Sequence, residues 1–213
     1  MRKCIALFLF LLPGMVLAQA TKEDYAIYSQ YLKNYRAESA HKMNFIVRES
    51  TDYIRKYDST GIKDIVAEFR NYLNADPVSV SNVRFMYKSF ADTLKKDTTW
   101  MPLITTLNQK MKSEFILQNK FSKSLHTGFI SNNNYSTYFG NSKELEKGWA
   151  KFHQHYTKSA MLVEFSAIAR DSKRAVFYFI EQSGSLGAKG YIVFCYNENN
   201  KWKFIPTLPL WQS

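Results

Sequence analysis

The last third of the chain carries the plainest pattern. Met161, Val163, Phe165 and Ala167 alternate with Leu162, Glu164, Ser166 and Ile168, the period of two that a half-buried strand shows. Arg170-Asp171-Ser172-Lys173 follows with polar turn chemistry. Ala175 to Ile180 is a continuous apolar run rich in β-branched and aromatic residues, which suits a strand buried on both faces. Ser183 to Gly187 supplies a glycine-bearing hairpin, and Tyr191 to Tyr196 a third strand. Asn197 to Asn200 reads as a turn of residues that tolerate left-handed backbone. Lys201 to Ile205 is the fourth strand, and Pro206 and Pro209 are expected to end regular pairing. Connections this short join antiparallel neighbours, so the pattern predicts a four-stranded antiparallel meander. Trp202, opening the last strand, is expected beside Phe194 and Tyr196, with Phe204 on its face.

Upstream the period changes to that of a helix. Thr21 and Asp24 have the spacing of a capping box, and Tyr25, Tyr28, Leu32 and Tyr35 share one face of the helix that follows. Residues 41–50 alternate Met43, Phe45 and Val47 against Asn44, Ile46 and Arg48, a strand that covers the sheet edge or adds to the sheet. Ser59 or Thr60 would cap a second helix carrying Ile62, Ile65, Val66, Phe69 and Tyr72 or Leu73, stopped by Asp76-Pro77. Residues from about Ser81 to Leu94 are read as helix. Trp100, Leu103, Ile104, Leu107 and Met111 form a strong helical stripe with Pro102 in its first turn. Ser122 to Asn141, with Asn132-Asn133-Asn134 and Gly140, reads as a loop, and its Tyr135, Tyr138 and Phe139 suggest a flap. Ser142 then caps a short helix bearing Leu145, Trp149 and Phe152.

The expected fold class is α+β: N-terminal helices packed on a C-terminal four-stranded antiparallel meander, with residues 41–50 as a possible added strand, in one domain over 21–213. The second and third strands are apolar on both sides, Phe177 and Phe179 on one, Val176, Tyr178 and Ile180 on the other. Helices can cover one side; a further segment, a partner or a ligand must cover the other, and two-sided burial within the monomer is the simplest answer.

Composition adds a compartment. Arg2 and Lys3, the apolar run Ile5 to Leu12 and a cleavage site at Ala18-Gln19-Ala20, with Val16-Leu17-Ala18 as the alternative, have the order of a secretory signal peptide over residues 1–20. The run is too short to span a bilayer, which takes about 20 residues; no transmembrane segment is expected after cleavage. Cleavage would remove Cys4 and leave Cys195 without an intrachain partner, mid-strand and inert. It would also leave 27 basic residues against 18 acidic ones. That balance favours anionic partners by long-range attraction, while the scattered lysines and the expected compartment argue against nucleic acid.

Few candidates for chemistry survive inspection. His153 and His155 are two apart, and metal-binding pairs on a helix use spacings of three or four. Ser183-Gly184-Ser185-Leu186-Gly187 has part of a nucleophile elbow, but serine stands at the first glycine position and no histidine follows. Gly184, Gly187 and Gly190 are hairpin glycines, not a dinucleotide fingerprint. No catalytic residue, metal ligand or cofactor is implied. Glu164 and Ser166 share one strand face amid Leu162 and Ile168. A carboxylate there must be paired, by Arg174 or a lysine across the sheet, or serve as a polar fixed point in an apolar cleft. Glu164, Ser166 and Tyr178 are therefore the candidate binding residues.

The closing block also resembles a family. Glu164-Phe165-Ser166, Arg174-Ala175-Val176-Phe177-Tyr178, Ser183 to Gly187, Gly190-Tyr191, Asn200-Lys201-Trp202-Lys203 and the final Leu210-Trp211-Gln212-Ser213 are similar to the end of uncharacterised secreted proteins of Gram-negative bacteria. Those proteins close with a Gly-Lys-Trp-Lys strand and a terminal Trp; here Asn200 replaces the glycine. The likeness covers residues 145–213 and, more faintly, Tyr25 to Leu32. It implies secretion and the sheet, and transfers no functional residues. Together these readings predict a binding or interaction module of the periplasm or cell surface, with a protein, a small ligand or an anionic envelope component as partner. The alternative is a hydrolase acting on envelope material.

Overall fold

The computed structural model describes residues 18–38, 43–50, 64–74, 94, 96–205 and 207–213. The expected signal peptide up to residue 17, the Ser59 or Thr60 cap, the Asp76-Pro77 stop, nearly all of the helix expected over 81–94, and Pro206 lie outside these residues. Five helices are present among them: α1 (Lys22–Glu38), α2 (Ile65–Asn74), α3 (Trp100–Lys110), α4 (Asn132–Phe139) and α5 (Leu145–Tyr156). The strands are β1 (Ala18–Gln19), β2 (Asn44–Arg48), β3 (Phe115–Ile116), β4 (Gly128–Ile130), β5 (Ala160–Phe165), β6 (Ala169–Arg170), β7 (Arg174–Gln182), β8 (Ala188–Glu198), β9 (Lys201–Phe204) and β10 (Leu208–Gln212). The class is α+β.

The meander exists, but as part of something larger. β5, β7, β8 and β9 pair antiparallel in succession. They belong to a mixed eight-stranded sheet of order β10-β8-β7-β5-β2-β4, with β6 also on β7 and β9 also on β8. The expectation of four antiparallel strands is corrected by β2. This strand lies parallel to β5 on one side and to β4 on the other. Turn chemistry reveals hairpins between chain neighbours; a parallel neighbour arrives through a long connection and leaves no local mark. The second correction is at Pro209. It does not end pairing but sits within β10 opposite Tyr191, where the register slips before Trp211. β10 is an edge strand, and a proline whose missing N–H faces outward costs no ladder bond there.

The β8–β9 turn follows the sequence closely: Asn199 (φ 53°) and Asn200 (φ 60°) both take left-handed backbone. That two-residue geometry matches the twist of a hairpin and sets Asn197 opposite Trp202. Trp202 therefore shares its face with Val193 and Cys195, not with Phe194 and Tyr196 as the alternation had suggested. Phe204 does share that face, packed against Tyr31 of α1.

Both sides of the sheet are covered from within the chain. On one, α1 lays Tyr28, Tyr31 and Leu32 over Phe45, Val163, Phe165, Phe177 and Phe179. Its N-terminus is the expected capping box: Thr21 N donates to Asp24 Oδ2 at 2.8 Å, and Asp24 N donates to Thr21 Oγ1 at 3.2 Å. On the other side, α2 and α3 cover Val176, Tyr178, Ile180 and Phe194. α2 is capped by Asp64, whose Oδ1 accepts from Val66 N and Ala67 N. α4 and α5 cover the β2–β4–β5 end of the same side, around Ile46, Ile130, Trp149, Phe152 and Leu162.

The loop expected over 122–141 is in part a helix. Ser131 Oγ accepts from Asn134 N at 3.2 Å and starts α4. The three asparagines occupy its first turn, and the rest packs Tyr135 and Phe139 on each other at a tilt and Phe139 on Trp149. The 3₁₀ turn before α5 is held by Asn141 Oδ1, which accepts from Lys143 N; the Ser142 side chain expected to cap there lies outside the described set.

Candidate functional site

β2 and β5 run side by side, and their registers place Arg48 next to Glu164. Arg48 Nη1 lies 3.3 Å from Glu164 Oε1 and 3.4 Å from Oε2, with both side chains buried. The partner of Glu164 is thus Arg48, not Arg174 or a lysine. Arg174 stands at the far end of β7, opposite Tyr196. The Arg48 guanidinium also sits 3.8 Å from the Tyr135 ring centroid, a cation–π contact contributed by α4. The pair lies where the apolar cluster under α4 and α5 meets the cluster under α2 and α3, since Glu164 is flanked by Leu162 in β5 and faces Ile180 in β7. Burial disfavours the charged carboxylate and outweighs the opposing pull of Arg48, so Glu164 is raised from its ordinary 4.5 to about 7.

Ser166 and Tyr178 lie beside it. Where β5 ends, Ser166 N still donates to Tyr178 O at 2.9 Å. Tyr178 N donates back to the Ser166 hydroxyl at 2.8 Å, in place of a strand carbonyl. That hydroxyl donates in turn to Ala167 O, and Ser166 O accepts from the buried Tyr28 hydroxyl at 2.5 Å. Ser166 therefore carries the ladder across the break between β5 and β6. The Tyr178 hydroxyl accepts from the Trp211 indole N–H of β10. Burial pushes its phenol well above the ordinary value. Gly190 makes room for this pair, because a Cβ there would fall on Tyr178 Oη and Trp211 Nε1. Glu164 and Ser166 share one sheet face, as the sequence suggested, Tyr178 lies beside them on β7, and each has its polar atoms engaged inside the fold.

A second buried carboxylate marks the opposite side. Glu181 accepts from the Tyr35 hydroxyl of α1 and from the Tyr191 hydroxyl at 3.0 Å. Cys195 is buried, and its thiol is pushed up to about 12 by desolvation. His153 holds the α5 end, its ring nitrogens 3.1 Å from Thr157 O and 3.2 Å from Ser183 O. Among the described residues no cluster of three His, Cys, Asp or Glu could hold a metal ion, and no helix is long and apolar enough to cross a membrane.

The surface feature the sequence missed is an open cleft of about 540 Å³ at one end of the sheet. The turn before α3 (Asp97, Thr99), the β6–β7 turn (Asp171 to Arg174) and the end of β8 (Tyr196, Asn197) line it. Arg174 is fixed in place: Nε and Nη2 donate to Asp171 Oδ2 at 3.2 and 2.7 Å, Nη1 donates to Thr99 Oγ1, and the guanidinium lies 5.4 Å from the Trp100 ring centroid. Asp171 Oδ1 accepts from Lys173 N and Arg174 N, each at 2.8 Å. Those hydrogen bonds and the Arg174 charge hold its carboxyl below the ordinary value, against a desolvation that works the other way. The signal for this arrangement lay in Asp171-Ser-Lys-Arg174, an aspartate two and three residues before the N–H groups it binds, but a polar turn is so ordinary that nothing singles it out. The chain matches no protein-family model, no curated protein and no solved structure.

Proposed function

We propose that this protein is a secreted binding module of the periplasm or cell surface of a Gram-negative bacterium, and that it takes its partner or ligand at the cleft around Arg174 and Tyr196. One contrast carries the reading. The polar groups of Glu164, Ser166 and Tyr178 turn inward and tie strands together, whereas the cleft presents fixed polar groups to solvent. Walls locked together by Arg174 and Asp171, with polar groups and an aromatic ring in a concavity of this size, suit ligand capture, since little backbone ordering remains to be done on binding. The capping pair Thr21–Asp24 supports the compartment: it lies directly after the expected cleavage point, and a chain starting at Thr21 would keep it and set its ammonium on Asp24, at the cost of the short β1.

The binding test is an amide NMR titration of the mature protein with soluble material released from the bacterial envelope. Saturable shifts at residues 171–174 and 196–197 are expected. If these amides stay still, the cleft is not the binding face; if the added material is degraded instead, the hydrolase reading takes its place. N-terminal sequencing of protein from the envelope should find a start at Gln19 or Thr21, and an intact Met1 would defeat the secretory part.

A further inference from the structure

Resting on that reading of the cleft, we infer that its ligand is an acidic saccharide, a sugar ring bearing a carboxylate or a phosphate. The formal charges of the lining, Asp97 and Asp171 against Lys173 and Arg174, cancel. The charges left for a ligand do not. Asp171 spends Oδ1 on two backbone N–H groups and Oδ2 on the Arg174 guanidinium. Asp97 Oδ1 accepts from both the backbone and the hydroxyl of Thr99. Asp171 is thus wholly committed to shaping the cleft, and Asp97 is held at Thr99 with its Oδ1 4.0 Å from Arg174 Nη1. The other side chains lining the cleft can all donate: the exposed Lys173 ammonium and Ser172 hydroxyl, and the half-buried Asn197 carboxamide and Tyr196 phenol. A ligand meeting that set must bring acceptors, and an anionic acceptor gains most from the ammonium.

The rest of the floor calls for more than an anion. Arg174, Tyr196 and Lys203 stand in one cross-strand row on β7, β8 and β9. Lys203 is drawn to Glu198 and Arg174 to Asp171, so the half-buried Tyr196 ring lies between two restrained cations. The flat ring suits the C–H face of a pyranose, whose hydroxyls then reach Ser172 and Asn197 at the margin. A cleft of about 540 Å³ has room for one or two sugar rings. The excess of basic residues over the whole chain draws such a ligand in.

The test is titration of the mature protein with glucuronate, glucose 6-phosphate, glucose and inorganic phosphate, followed at the amides of residues 172–174, 196 and 197. The two acidic sugars should saturate these shifts, with glucose and phosphate each binding at least about tenfold more weakly. Lys173→Gln, a change at an exposed side chain, should weaken the acidic sugars about tenfold and leave glucose unchanged. High salt should weaken the acidic sugars and phosphate and leave glucose unchanged. Equal binding of glucose would overturn the acidic part, and equal binding of phosphate the saccharide part. Stillness with all four probes overturns the inference whole. The underlying binding reading then stands or falls separately, on whether envelope-derived material moves the same amides.

Discussion

Replacing Glu164 by glutamine should remove a pH dependence from the stability of the protein. The buried carboxyl titrates near 7 instead of 4.5. Between those values the folded chain holds a proton that the unfolded chain has released, so stability must fall as pH rises. The contribution is fully present below 4.5 and is lost as pH climbs through about 7. A span of that width corresponds to about 3 kcal/mol, with no discount for solvent because Glu164 is only 1% exposed. Glutamine keeps the shape and an acceptor for Arg48 but has no proton to lose. In urea denaturation followed by tryptophan fluorescence, the parent should lose about 3 kcal/mol more than Glu164→Gln between pH 4.5 and pH 8. The histidines, common to both proteins, drop out of the difference. Arg48→Met sharpens the test: it strands the carboxylate, so its cost of about 3–5 kcal/mol at pH 8 should shrink at pH 5, where the carboxyl is neutral. Parallel pH profiles for parent and Glu164→Gln, or a parent that gains stability from 4.5 to 7, would show that burial does not govern this group.

Three further outcomes are expected. Trp202→Ala should cost about 3–5 kcal/mol, because the ring is enclosed against Cys195 and α1, while Lys201→Ala should cost under about 0.5 kcal/mol; equal denaturant midpoints for the two would remove β9 from the core. Ser166→Ala takes away the acceptor of a buried backbone N–H and should cost about 1–3 kcal/mol in the same assay; a neutral result would mean that the hydroxyl does not bridge the strand break. Cys195 should resist thiol reagents until the protein unfolds, and reductant should leave the melting temperature unchanged; prompt labelling of native protein would contradict its burial.

The parts of the fold that sequence made legible share a cause. The hairpins at Ser183–Gly187 and Asn199–Asn200 and the capping box at Thr21 are decided by a few adjacent residues, so they can be read locally. The aromatic stripe of α1 and the apolar stripe of α3 are likewise periodic in sequence. What was hidden is contact between distant segments. Arg48 was visible as the charged member of an apolar strand, yet nothing local could assign it to Glu164, 116 residues away. At α4 the three asparagines and Gly140 signal a loop locally, whereas the helix stands on Ser131 and on packing against α5. Strand periodicity put Glu164 and Ser166 on one face, but periodicity is blind to depth. The cleft was invisible because its three walls come from separate turns.

The position of β2 has a consequence for how the chain assembles as it is made. Its neighbours, β4 and β5, both come much later in sequence, and Asn44 meets its partner only at Ala160. A strand synthesised early must therefore wait, unpaired, while most of the polypeptide follows it. Closing so long a loop is entropically costly and slow, and contacts of this separation depress folding rates. The β7–β8–β9 hairpins can form on their own from neighbouring residues, leaving the slot beside β5 for β2 to fill last. A nascent chain of this protein would keep β2 unpaired until β4 and β5 had emerged, exposed to proteolysis and aggregation in the interval.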